Sequence, residues 1–354
     1  MDAAELDYEL PPDAIAQTPI EPRDAARLLV DRGPDAPVEH RRVADLADLL
    51  EPDDVLVVND TRVIPARLHL AKPTGGAVEV LLLARRPEGD WEALVRPSRR
   101  VPPGTRLRPA AAAGALDVEV EVGEVLGDDG RRRVALHGTG DPDALLARLG
   151  EVPLPPYIHE PLGDPERYQT VFADRPGSVA APTAGLHLTD DLLARVRARG
   201  VTVATVELVV GLGTFRPIQV DRVEDHPMHA ERYRIPPAAQ ALLAEPPAGR
   251  VVAIGTTVVR ALESWAATGA TEGDTRLFIH GDHPFAVVDA LLTNFHVPRS
   301  SLLALVQAFV GPRWRDLYAE ALGEGYRFLS VGDAMLLGAA RPTVHRPLVI
   351  DPRP

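Results

Sequence analysis

The alternation of apolar runs with helical segments after residue 157 fixes the fold class. "VTVATVELVV", "RVVAI" and "FAVVDALL" are rich in β-branched and aliphatic residues, the pattern of strands buried on both faces. Polar turns follow the last two, then the helical stretches "GTTVVRALESWAATG" and "RSSLLALVQAFVG". In "LTDDLLARVRARG" Thr189 is a helix N-cap, Asp190 and Asp191 sit in the first turn where negative charge is favoured, and Gly200 ends the helix. This rhythm implies an α/β main domain, a mixed sheet or barrel with helices packed on it. Residues 1–66 belong to the same body. They offer "RLLV" as a strand, a short helix in "VADLADLL", and a strand at Val55–Val58 leading into Asn59-Asp60-Thr61-Arg62.

Between 67 and 150 the rhythm is different. "GAVEVLLLAR", "DWEALVRP", "LDVEVEVGEVLGD" and "RRRVALHG" are short strands between Gly, Pro and Asp-Gly turns. "LDVEVEV" alternates strictly, so one face is expected to be wet. The expectation is an inserted small antiparallel β-barrel domain, residues 67–150, within a discontinuous α/β catalytic domain, residues 1–66 and 151–354. Charge divides the same way: Arg67 to Pro156 hold thirteen basic and thirteen acidic residues, so the flanks carry the whole net charge of −13.

Composition removes several chemistries. The chain has no cysteine, which excludes disulfides, thiolate metal sites and a cysteine nucleophile. Lys72 is the only lysine and sits in a turn-like "AKPTGG", a poor place for Schiff-base chemistry. No run is long and apolar enough to span a bilayer. The acidic "MDAAELDYEL" is no secretory signal, so a cytoplasmic protein is expected. With 38 basic against 51 acidic residues, nucleic acid is not the partner that charge alone would suggest.

"ELVVGLGTFRPIQV" looks at first like a nucleotide loop. Dinucleotide loops, however, run from their glycines into a helix. Here Pro217 and a β-branched run follow, and the third glycine is missing. Other positions have chemical promise of their own. The turn Pro182-Thr183-Ala184-Gly185 lets a ligand approach the backbone ahead of His187. Thr256 and Thr257 follow Gly255 at a helix start, where free N–H groups suit an anion, although capping explains threonines there nearly as well. Arg260, one turn on, would reinforce an anion site. Asn294, His296 and Arg299 lie on a loop between strand and helix, a common place for function. Phe295 beside them suits either base stacking or core packing. Asp225, His226, His229 and Glu231 fall within seven residues, in a spacing that fits no zinc signature.

Eight blocks in order, "YELPPDAIAQ", "VLVVNDTRVIPARL", "VAAPTAGLHLT", "GLGTFRPI", "EDHPMHAE", "VVAIGTTVVRALES", "TNFHVPRSSLL" and "YRFLSVGDAML", resemble the S-adenosylmethionine:tRNA ribosyltransferase-isomerase family of queuosine biosynthesis. The resemblance runs from Tyr8 to Met335. It implies an enzyme that uses S-adenosylmethionine as ribosyl donor to 7-aminomethyl-7-deazaguanine in a tRNA anticodon, leaving epoxyqueuosine and releasing adenine and methionine. It also implies a β-barrel inserted in a larger α/β domain. The expected partners are S-adenosylmethionine, as co-substrate, and the tRNA anticodon stem-loop. No metal, further cofactor or membrane is expected, and the protein is read as a monomer.

The resemblance assigns catalytic roles to His226, His229, Glu231, His187 and Asp60, with acid and base left open among them. It assigns substrate binding to Arg62, Thr183, Gly185, Gly213, Thr214, Thr256, Thr257, Arg260, Asn294, His296 and Arg299. Asp60 and Arg62 would otherwise simply pair with each other. For tRNA phosphates the basic residues of the insertion, Arg96, Arg99, Arg100 and Arg131 to Arg133, are the candidates, against the plain alternative of a solvated surface. Three positions depart from the family pattern: Val209 replaces a histidine, and Leu188 and Val331 replace aromatic residues. A changed acceptor, or a binding protein without turnover, is the alternative those departures raise.

Overall fold

The computed structural model describes residues 1–109, 117–127, 130–211, 217–245, 247–341, 343–345 and 348. In chain order the elements begin with β1 (Arg27–Asp31), β2 (Glu39–Arg42), α1 (Leu46–Leu49), β3 (Val55–Asn59) and β4 (Thr61–Val63). Next come β5 (Arg67–Ala71), β6 (Ala77–Arg85), β7 (Trp91–Arg96), β8 (Thr105–Pro109), β9 (Val118–Leu126), β10 (Arg131–Gly138), α2 (Pro142–Leu149) and β11 (Gly150–Glu151). Then follow β12 (Arg175–Ser178), α3 (Asp190–Ala198), β13 (Thr202–Leu208), β14 (Glu231–Arg234), α4 (Pro237–Leu243), β15 (Val251–Ile254) and α5 (Thr256–Thr268). The last are β16 (Glu272–Thr275), β17 (Ala290–Asn294), α6 (Ser301–Val310), α7 (Trp314–Gly323) and β18 (Ala334–Gly338).

The chain divides into two compact units. One holds Met1–Thr61, Pro155–Asp174 and Ala181–Pro354; the other holds Arg62–Leu154 and Arg175–Ala180. The first is built on a mixed nine-stranded sheet, order β16-β14-β13-β3-β15-β17-β18-β1-β2. Its centre is parallel: β3 lies between β13 and β15, and β15 pairs with β17. β18 runs antiparallel to β17 and parallel to β1.

Central strands buried on both faces have no polar side, which is why their sequences read as continuous apolar runs. Leu56, Val58, Val252, Ile254 and Leu292 point to one face and meet Leu46 and Leu49 of α1 and Leu192, Leu193 and Val196 of α3. Each fully buried leucine there contributes about 2–3 kcal/mol. On α3 the Thr189 hydroxyl accepts from Leu192 N at 3.1 Å, the cap that its sequence announces. α5 packs against β13, β15 and β3, and buries ten consecutive residues from Thr256 to Trp265.

The second unit is an antiparallel sheet of order β11-β5-β6-β7-β10-β9-β8. β5 also pairs with β8, Leu70 opposite Pro109 and Ala71 opposite Arg108. On β9, Val118, Val120 and Val122 are buried, while Glu119 meets Arg106 and Arg108, and Glu121 meets His137. The strict alternation of "LDVEVEV" is thus one apolar face and one wet face. Among the described residues no helix is long and apolar enough to cross a membrane.

Candidate functional site

In α/β sheets ligands settle outside the carboxyl ends of the strands. The first unit has a cavity of about 280 Å³ there, at the end of β17. Asn294, Phe295, His296 and Val297 form one wall; Tyr157, Thr183, Leu329 and Ser330 face them. A small lobe of about 30 Å³ adjoins it at the end of β15, reaching Gly255, Thr256 and Thr257 and sharing Thr183, Asn294, His296 and Leu302. No Asp, Glu, Lys or Arg lines either part among the described residues.

The walls are held rigidly. Thr183 Oγ1 donates to Asn294 Oδ1 at 2.8 Å, and Asn294 Nδ2 donates to Leu329 O at 3.2 Å. Leu329 has φ +70°, a strained conformation for a branched residue, and such strain gathers at sites that must hold an unusual shape. Tyr157 and Ser330 share a hydroxyl contact of 2.6 Å, and burial pushes the Tyr157 phenol up to about 12, so it stays protonated. The backbone of His296 is pinned from both sides: its N–H donates to the Tyr318 hydroxyl and its carbonyl accepts from Tyr8. His296 Nε2 lies 2.9 Å from Thr293 Oγ1, and burial pushes the imidazole down to about 3. The ring is therefore neutral at pH 7.

The sequence candidates separate into several groups. Thr183, Thr256, Thr257, Asn294 and His296 line the cavity or its lobe. Gly185 sits beneath the same turn; the space a Cβ would need is taken by Phe172, at 2.8 Å, and Thr170, at 3.0 Å. His187 is buried with both ring nitrogens on carbonyls, Nδ1 at 3.0 Å from Ala184 O and Nε2 at 2.9 Å from Gly332 O. It ties the 183–187 turn to the segment before β18. Arg299 has φ +51°; its N–H donates to Leu6 O and its carbonyl accepts from Ile218 N.

Glu231 and Arg260 form a buried ion pair, and Glu231 Oε1 accepts from Gly211 N at 3.0 Å. Arg260 Nε donates to Leu277 O. Arg260 is thus spent on Glu231 and does not join the lobe at the head of its own helix. His226 and His229 are partly exposed. The His226 ring meets Phe278 edge-on at 5.7 Å, and Phe278 in turn meets His280 at 4.8 Å. Burial first, and the nearby His229 second, lower the pKa of His226. Neither histidine is among the cavity-lining residues. Asp60 is buried at the end of β3, and its carbonyl accepts from Asp174 N. Arg62 follows in β4. Gly213 and Thr214 lie outside the described residues. After them, residues 217–222 carry no helix.

Phe295 belongs to the core: it is fully buried, stacks on Phe328 at 4.5 Å and meets Tyr318 and Tyr326 edge-on. Leu188 is a core residue too, packed with Leu192 and Leu193. Val331 lies beside His187 and Gly332 in a cleft of about 10 Å³. Sequence reasoning missed Tyr157, Thr293, Leu329 and Ser330. The last two fall inside the quoted block "YRFLSVGDAML", and Thr293 inside "TNFHVPRSSLL", so order of blocks was the available signal. Tyr157, in a Pro-rich return, gave none.

Comparison with known proteins places this architecture. The family model described as "Queuosine biosynthesis protein" matches residues 3–337. This chain belongs to the queuosine biosynthesis family. Among curated relatives, a protein of Thermus thermophilus is 54% identical, covering 94% of this chain and 98% of its own length. One from Moorella thermoacetica is 51% identical with the same coverage. Both are named S-adenosylmethionine:tRNA ribosyltransferase-isomerase. The crystal structure of an S-adenosylmethionine tRNA ribosyltransferase from Thermotoga maritima is 36% identical, with a TM-score of 0.53 over 94% of this chain and 99% of that one.

Proposed function

We propose that this protein transfers the ribosyl group of S-adenosylmethionine to 7-aminomethyl-7-deazaguanine in a tRNA anticodon and isomerises it, giving epoxyqueuosine, adenine and methionine. The full-length similarity to enzymes named for this reaction carries the reading. The cavity supports it: a mostly apolar space with a few convergent neutral polar groups suits a nucleoside.

Roles follow from the surroundings of each residue. The reaction needs a base for the ribose 5′-carbon next to the sulfonium and an acid for the departing adenine. His296, neutral at pH 7, has no proton to give as an imidazolium; it orients the nucleoside with Asn294 and Thr183. His226, whose pKa is lowered by burial first and by His229 second, is the proton acceptor we assign. Glu231 and His187, committed to Arg260 and to two carbonyls, position the site. Asp60, at the end of β3, and Arg62, in β4, remain proposed site residues. Neither metal nor further cofactor enters this scheme.

The six-strand ring β5-β6-β7-β10-β9-β8 is read as the inserted barrel domain and as the tRNA-facing unit. Arg131 pairs with Glu92, Arg133 with Glu124 and Asp90, and buried Arg132 bonds Gly123 O and Val101 O. Arg96, Arg99 and Arg100 are exposed and have no acidic partner among the described residues. They are the phosphate contacts we assign. The reading takes the enzyme as cytoplasmic and monomeric.

The test is product analysis with S-adenosylmethionine and an anticodon stem-loop bearing the aminomethyl-deazaguanine base. Adenine and methionine released one-for-one with modified RNA is the expected result. Binding of S-adenosylmethionine without any release would sink the assignment.

A further inference from the structure

The lobe at the head of α5 has features that nucleoside binding alone does not use. Gly255, the N-cap, has φ +95° and no side chain with which to cap the helix. Its own N–H is used on Leu292 O, and its carbonyl accepts from Val258. The first-turn N–H groups of Thr256 and Thr257 are left for an external acceptor. Independently, Thr257 Oγ1 is buried without a hydrogen-bond partner among the described residues, on a residue that is 9% exposed and lines the lobe. A buried hydroxyl with no partner is costly unless a ligand supplies one. The lobe's volume of about 30 Å³ takes a group of one or two heavy-atom waters' size, such as a carboxylate.

We infer that this lobe seats the α-carboxylate of the methionine half of S-adenosylmethionine, held by the Thr256 and Thr257 N–H groups and by Thr257 Oγ1. The inference rests on the function proposed above and adds the orientation of the substrate. With the carboxylate at α5, the sulfonium and ribose pass Asn294 and His296, and the adenine occupies the larger cavity under Tyr157 and Leu329. Among the described residues the seat contains no side-chain cation: Arg260, one turn along the same helix, is engaged by Glu231. Helix N–H groups and one hydroxyl supply the whole recognition, so the hydroxyl carries a large share of it.

The test compares ligands with and without the amino-acid tail. S-adenosylmethionine and S-adenosylhomocysteine carry the carboxylate; 5′-methylthioadenosine does not. Calorimetry on the full-length protein should show Thr257→Val weakening the first two about tenfold while 5′-methylthioadenosine changes less than twofold. Thr257→Ser, which keeps the hydroxyl, should restore binding to within about threefold of the parent. Equal weakening of all three ligands in Thr257→Val, or no weakening of any, would overturn the carboxylate seat while leaving the proposed function standing. Failure of the unsubstituted protein to bind S-adenosylmethionine would overturn the function itself, and the seat with it.

Discussion

Two buried groups decide what single residues do here. The pKa of His296 is pushed down to about 3 by burial, against about 6.5 in an unfolded chain. Between those values the unfolded chain binds a proton that the folded one refuses. The stability tied to this group is complete above pH 6.5 and is lost as pH falls toward 3. By pH 5 the loss is about 2 kcal/mol. Urea unfolding at pH 7 and pH 5 should therefore show a smaller pH difference in His296→Gln than in the parent; equal differences would refute the buried neutral ring. Glu231 and Arg260 form the other case. Arg260→Met leaves a carboxylate buried without its cation and should cost about 3–5 kcal/mol, whereas Glu231→Met with Arg260→Met should recover most of it. A double-mutant cycle measures that coupling. If Glu231 instead reacts directly with substrate, Glu231→Gln, which also breaks the buried pair and lowers stability, would abolish turnover in the fraction that stays folded and still binds S-adenosylmethionine.

At the scale of elements, the turn before β18 is the most tightly built piece. A Cβ on Gly332 would lie 2.3 Å from Arg327 O and 2.7 Å from Phe328 O, backbone atoms that cannot step aside. Its carbonyl also receives His187 Nε2. Gly332→Ala should cost about 3 kcal/mol, read as a fall in the urea midpoint, while Gly323→Ala, where nothing lies within 4 Å, should change stability by less than about 1 kcal/mol. These elements also show what a sequence reveals. The Thr189 cap and the helix opening at Gly255-Thr256-Thr257 are local patterns, so they could be read from neighbouring letters. So could the strands of β3, β15 and β17, because burial on both faces leaves an apolar run; β13 departs from that expectation, with Ala204, Val206 and Leu208 buried and the residues between them half-buried. Tyr157 meeting Ser330 across 173 residues leaves no periodic trace. Nor did three adjacent arginines announce that one of them, Arg132, turns into the core. Phe295 was open between stacking and packing until Phe328, Tyr318 and Tyr326 closed around it.

At the scale of the molecule, charge poses the sharpest question: how a chain of net charge −13 engages a polyanion. Long-range attraction cannot supply the affinity, because phosphate binding draws on local cations that displace counterions. The neutral 67–156 stretch is where such cations stand out, and only some are available. Arg106 and Arg108 are held by Glu119, Arg131 by Glu92, and Arg133 by Glu124 and Asp90. Arg96, Arg99 and Arg100 are exposed around the short helical turn Ser98–Arg100. Replacing Arg99 and Arg100 by Ser should raise KM for the RNA about tenfold near physiological salt, with KM for S-adenosylmethionine unchanged. It should also flatten the logarithmic salt dependence of RNA binding by about 1–2. The same substitution at Arg106 and Arg108, already paired with Glu119 and Glu121, should do much less. Equal losses from both pairs would mean that the general field of the unit, rather than the free arginines, holds the RNA.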